Sequence, residues 1–161
     1  MKTLMALCGA VLLLISCSSG IDKAKFADLR KDADAIVKDL DQKADYLTYE
    51  EHILSLSSHL LTAEQMMSTP QEKSLAARYR AFLTVCQDAL LFWNYRAESS
   101  LYPWVPKGRV YVGDDLKPVV LKYAIPMQQH YLQLTDRRWE SAPAESLDLI
   151  FRKVREGYSS L

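Results

Sequence analysis

The sequence predicts a mainly α fold: a bundle of three N-terminal helices, then a mixed C-terminal part that ends in a helix and has room for a short strand or hairpin. Three observations lead there. Apolar residues recur every three or four positions from Phe26 to Trp93. Helix-start signals punctuate that run at Ser19, Thr48 and Thr69. After Glu98 the periodicity breaks, and prolines and glycines crowd into the chain.

The first helix is expected over residues 21–44. Ser19 and Asp22 have capping-box spacing, and Phe26, Leu29, Ala33, Ile36 and Leu40 fall on one face. The second is expected over 49–67, capped by Thr48 with Glu51, with Ile53, Leu56, Leu60, Ala63 and Met67 as its apolar stripe. The third is expected over 70–97. Thr69 caps it, Pro70 takes the first helical position, and Glu72 completes the box. Its stripe is Leu75, Tyr79, Phe82, Cys86, Leu90 and Trp93. Short connections between the three favour antiparallel neighbours.

Tyr102 to Gly108, with two prolines and a glycine, is a loop. Arg109 to Val112 alternates and suits a short strand. Gly113-Asp114-Asp115 is a turn before a helix from Leu116 to Ala124, where Pro118 is tolerated in the first turn. Pro126 interrupts it. Residues 127–135 mix β-prone residues with helix formers, so helix and strand both remain open. A closing helix is expected from Pro143 to Tyr158.

The chain begins differently. Lys2 supplies a positive start, and Leu4 to Ile15 is an almost unbroken apolar run. That run is shorter than the roughly 20 residues that span a bilayer. It has the pattern of a secretory signal, here residues 1–16. At its end, Leu14-Ile15-Ser16-Cys17 resembles the lipobox of bacterial lipoproteins. The resemblance implies a diacylglyceryl thioether on Cys17, cleavage before it, and acylation of the freed amine. It therefore implies anchoring in a bacterial cell envelope, with the membrane as a partner. Ser18 after the lipidated Cys resembles the class destined for the outer membrane, if the host is Gram-negative. Residues 17–20 are then the lipidated Cys and a short tether, and 21–161 a single mostly helical domain. So short a tether would hold Lys23, Lys25, Arg30 and Lys31 near the headgroups.

Composition narrows the function classes. The 20 basic and 20 acidic residues balance, and no basic stripe is visible along the sequence. Nucleic acid is therefore not an expected partner. Cys8 leaves with the signal and Cys17 takes the lipid, so Cys86 is alone in the mature body and no intrachain disulfide is expected. Cys86 lies on an apolar helix face and is expected in the core.

No motif specifies catalysis or a cofactor, and none is expected. His52 and His59 lie seven apart, not at metalloprotease spacing, and a zinc site would need a distant third ligand such as His130. Both are expected on a helix flank. Ser57 and Ser58 adjoin His59 in sequence but point elsewhere on a helix. Glu50-Glu51 opens a helix and Asp114-Asp115 sits in a turn, adequate structural roles for both pairs.

One region is unusual. Phe92, Trp93, Tyr95, Tyr102, Trp104 and Tyr111 cluster, with Arg96, Lys107 and Arg109 interleaved, and Arg137-Arg138-Trp139 repeats the flavour. Phe92 and Trp93, on the periodic helix, are expected in the core. Trp104, Arg109, Tyr111, Arg137, Arg138 and Trp139 are the candidate contacts, since Trp, Tyr and Arg dominate binding hot spots and suit sugar or peptide faces. The expected function is a membrane-anchored, non-enzymatic interaction module for an envelope protein or glycan. The alternatives are an envelope hydrolase with an unrecognised site, or a small-ligand binder with an interhelical pocket.

Overall fold

The computed structural model describes residues 20–132 and 136–161. Residues 1–19, on which the expected signal sequence and the expected lipidation at Cys17 fall, lie outside them, as do residues 133–135. The fold is mainly helical with a mixed C-terminal part, as the sequence predicts.

The chain enters through a 3-10 turn, Lys23–Phe26, rather than directly into an α-helix. Asp22 caps it by accepting from the Ala24 amide at 3.0 Å. α1 (Ala27–Gln42) follows and ends where Lys43 adopts a left-handed conformation, φ 54°. It buries Leu29, Ala33 and Ile36 as expected, and also two carboxylates, Asp32 and Asp39.

α2 (Tyr46–Met66) starts ahead of the expected residue 49, because its cap is Asp45 and not Thr48. The Asp45 carboxylate accepts from the Thr48 amide at 3.0 Å and its hydroxyl at 3.1 Å. A charged acceptor binds an orphan helix amide more strongly than a hydroxyl does. His52 and His59 lie on the flank of α2 and join the helices: His52 Nδ1 is 2.6 Å from Asp39 Oδ2, and His59 Nδ1 is 2.6 Å from Asp32 Oδ2. The heptad spacing of the histidines thus matches that of the buried acids.

α3 (Pro70–Ser99) has the full capping box the sequence predicts. Glu72 N donates to Thr69 Oγ1 at 3.1 Å, and Thr69 N donates to Glu72 Oε2 at 3.2 Å. Tyr79, Phe82 and Cys86 are buried, and so is Phe92. Leu75, Leu90 and Trp93 are only half-buried, which corrects the expectation that Trp93 faces inward. A straight helix drifts about 20° per seven residues, so a stripe written at near-heptad spacing rotates out of the core. Ala76, Leu83 and Ala89 take the inner positions.

β1 (Arg109–Val112) forms as expected. α4 (Lys117–Lys122) is shorter than Leu116 to Ala124, because Ala124 takes a positive φ of 50° that no helix continues. β2 (Gln128–Leu132) settles most of the 127–135 stretch as strand. β3 (Arg137–Pro143) pairs with both others in an antiparallel sheet of order β1-β3-β2. Pro143 therefore ends a strand instead of opening the last helix, and α5 runs Ser146–Ser159. Val110, Val112 and Ala142 turn one side of the sheet to the core.

The bundle has a clear polarity. Lys25 Nζ meets Glu72 Oε1 at 2.9 Å, which places the starts of α1 and α3 at one pole. Tyr158 donates to Asp34 at 2.6 Å and Arg78 to Ser160 O at 2.9 Å, so α5 ends near that pole. Trp93 and Phe151 meet edge-to-face, ring centroids 5.6 Å apart, where α3 ends and α5 begins. α1 and α3 therefore run one way, α2 and α5 the other, as in an up-down-up-down bundle. The sheet caps the far end: the Tyr111 amide donates to Ser99 Oγ at 2.8 Å.

Candidate functional site

The aromatic cluster sits on the loop that leaves α3 and on the outer face of the sheet. Val105 is buried and anchors the loop, which folds back through a Val105 N to Tyr102 O bond of 3.1 Å. That leaves Tyr102 and Trp104 outside, each 40 % exposed. Their rings stack at 5.4 Å and 18°.

The sheet supplies the other wall. Tyr111 pairs with Ser141, and His130 pairs with Trp139. Strand alternation puts Arg109, Tyr111, His130, Trp139 and Ser141 on one face, opposite Val110 and Ala142. Trp104 stands edge-on to Trp139, centroids 4.9 Å apart at 87°, and to Tyr111 at 5.5 Å and 78°. His130 stacks under Trp139 at 4.1 Å and donates to or accepts from Ser141 Oγ at 2.7 Å. The sheet thus holds Trp139 in place from behind.

Between these walls lies a cleft of about 490 Å³. It contains five of the six sequence candidates: Trp104, Tyr111, Arg137, Arg138 and Trp139. Arg109 is the exception. Its guanidinium donates to Ser141 Oγ at 2.9 Å and Ser141 O at 2.8 Å, and it lines a neighbouring cleft of about 710 Å³. Arg137 and Arg138 make no ion pair or side-chain hydrogen bond among the described residues.

Sequence reasoning missed Tyr95, Glu98, Ser99 and Tyr102 as lining residues. The three- and four-residue spacing of Tyr95, Glu98 and Ser99 at the end of α3 is the signal that could have found the first three. Tyr95 is held close by Gly113. A Cβ at that position would lie 2.7 Å from the Tyr95 hydroxyl, so a larger residue there would push the end of the Tyr95 ring aside. Burial raises the Tyr95 hydroxyl above its usual pKa, and the negative charges of Asp115 and Glu98 add to that. The hydroxyl therefore stays a neutral donor in the cleft.

The arrangement suits binding. Exposed indole and phenol faces offer flat apolar area, and arginine forks offer bidentate donors to carboxylate or phosphate. The lining holds one carboxylate, Glu98, and no histidine. His52, His59 and His130 do not converge, and among the described residues no three metal-ligating side chains do. Cys17 lies outside the described residues. No known family model matches this chain, and no curated protein sequence or solved structure does either.

Proposed function

We propose that this protein is a lipid-anchored bacterial envelope protein whose body is a non-enzymatic interaction module, holding an envelope glycan or protein in the aromatic–arginine cleft. The observation that carries the reading is the polarity of the bundle. The tether joins the body beside Asp22, whose amide approaches Glu72 Oε1 at 3.4 Å. The cleft is lined by Glu98, at the other end of the same helix. At about 1.5 Å per residue, those two ends of α3 lie about 40 Å apart. A body anchored at Cys17 would present its cleft away from the membrane, toward whatever the envelope offers.

The lipobox supports the anchor, and Ser18 supports the outer membrane if the host is Gram-negative. At the tether end, Lys25 is engaged by Glu72, and Arg30 by Asp34 and Tyr158. Contact with anionic headgroups would then fall to Lys23 and Lys31.

The test is photo-crosslinking of the anchored protein in intact envelopes, with a benzophenone amino acid in place of Tyr102 or, as control, Leu54. Adducts should form from the Tyr102 position and vanish with Trp139→Ala. Equal adducts from both positions, or none at Tyr102, would remove the cleft as the contact.

A further inference from the structure

The aromatic cleft does not stand alone. It shares Ser99 and Tyr102 with the 710 Å³ cleft beside it. That second cleft shares Arg96 and Ser100 with a third, of about 730 Å³, between the ends of α1 and α3 and the start of α5. The three clefts adjoin in series around the C-terminal end of α3, and together they form a groove.

The groove is strongly basic, although the chain's charges cancel overall. Arg137 and Arg138 line its aromatic end, and Lys107 and Arg109 its middle. Lys43, Arg96, Arg152 and Arg155 line the far end. Against these eight cations stand three acids, Glu98, Asp39 and Asp148. Asp39 is already engaged by His52, and among the cations Arg155 is paired with Asp41 at 3.0 Å. The C-termini of α1 and α3 add roughly half a negative charge each. They offset only a small part of the excess.

The pairing pattern points the same way. Arg30, Arg80 and Arg155 form ion pairs, and Arg78 and Arg109 bond oxygens of Ser160 and Ser141. Among the described residues, the four arginines left without an ion pair or side-chain hydrogen bond are Arg96, Arg137, Arg138 and Arg152. All four line the groove. The floor of its far end is apolar, formed by Trp93 and Phe151 packed on the buried Tyr49.

We infer that this groove binds a linear anionic polysaccharide. The inference rests on the aromatic cleft being a contact site, and it names the ligand of that site. Aromatic faces at one end would take a sugar ring, and guanidinium forks spaced along the rest would take successive carboxylates or phosphates. A neutral glycan would leave the arginines unused, and a short ligand would fill one cleft only. Single-stranded nucleic acid also uses aromatic and basic grooves, but it stacks successive bases on successive rings. Here the parallel pair, Tyr102 and Trp104, stands at one end, and the rings at the other, Trp93 and Phe151, meet edge-to-face at 76° and not in the parallel series that successive bases need.

The experiment measures binding of the full-length protein in detergent to long and short oligogalacturonates, the methyl-esterified long oligomer, and a single-stranded DNA of similar length. Long oligogalacturonate should bind, with an affinity that falls steeply with salt. The ester should bind much more weakly. Arg96→Gln with Arg152→Gln, outside the aromatic cleft, should cost about tenfold on the long oligomer, the scale of two exposed charge contacts. The same pair should leave the short one unchanged. Trp104→Ala should weaken both. Loss with Trp104→Ala but none with the arginine pair would overturn the extended groove and leave the aromatic cleft standing. Equal affinity for ester and acid would overturn the anionic ligand. DNA binding as tight as the oligosaccharide would overturn the glycan assignment. No binding to any probe, with thermal unfolding unchanged, would overturn the inference for this ligand class, while crosslinking at Tyr102 would still decide the parent reading.

Discussion

Glu72 accepts the Lys25 ammonium at 2.9 Å while its second oxygen accepts the Ser68 amide at 2.8 Å. One carboxylate thus closes the capping box of α3 and ties down the turn that enters α1. The Ser68 amide first, and then Lys25, hold its pKa down to about 2 from 4.5. A depressed folded pKa means the ionised form is favoured by folding. The stabilisation should therefore be complete above pH ~4.5 and fade as pH falls toward about 2. Thermal unfolding across that range should show a falling midpoint in the native protein. Glu72→Gln should start lower at neutral pH and lose much of that acid slope. An unchanged slope would mean Glu72 is not the group responsible.

Tyr49 gives the opposite prediction. Its hydroxyl is buried with no oxygen or nitrogen partner among the described residues, only the Cys86 thiol beside it, and burial drives its pKa well above the ordinary value. An unmade hydrogen bond in the interior costs about 1–3 kcal/mol. Tyr49→Phe keeps the ring contacts with Trp93 and Phe151 and removes only that oxygen. The variant should be at least as stable as the native protein, by up to about 1 kcal/mol. Denaturant titration measures it, and a clear loss of stability would show that the hydroxyl has a partner in solution.

These two residues show what a sequence can and cannot reveal. Thr69-Pro70-Gln71-Glu72 is a local signal, because cap and acceptor lie within one turn of chain, and it folds as written. Asp45 competed with Thr48 for the start of α2, and the stronger acceptor won. The pairing of Asp32 and Asp39 with His59 and His52 joins two helices, and only their matched heptad spacing hinted at it. The site divides in the same way. Trp104, Tyr111 and Trp139 were legible as hot-spot residue types, but their meeting depends on strand register, which the broken pattern after Glu98 does not encode. The basic groove was invisible, because its cations are scattered from Lys43 to Arg155 and converge only when α3 and α5 pack.

The core of α3 is the third test. Phe82 is 1 % exposed and its ring packs against Tyr158, centroids 6.3 Å apart. Phe82→Ala should cost about 3–5 kcal/mol, since a rigid helix cannot close over the cavity. Cys86, fully buried nearby on the same face, has its thiol pushed well above the usual range by burial. A thiol reagent should label it only as fast as the protein unfolds. Labelling much faster than unfolding in denaturant-free buffer would contradict the packing.

The anchor is the last test, and it bears on everything the cleft is proposed to do. If Cys17 carries the lipid, Cys17→Ser should leave an uncleaved precursor or a soluble body, and mass spectrometry of the mature N-terminus should find acyl chains only on the native protein. Two or more chains hold a protein stably where one does not, so the native form should resist a salt wash. Geometry adds a second readout. With a lipid on Cys17 the tether would span Ser18 to Gly20, and three extended residues reach only about 10 Å, which would keep the 3-10 turn near the headgroups. A flexible Gly/Ser spacer inserted after Ser19 should therefore raise protease access to residues 21–30 in intact vesicles. It should leave the cleft's own affinity for a soluble ligand unchanged, because the cleft lies at the other pole. An unmodified Cys17 would sink the anchored reading outright. Unchanged protease access with a lipidated Cys17 would show instead that the body stands clear of the surface. The roughly 40 Å between tether end and cleft would then add to a stand-off already present.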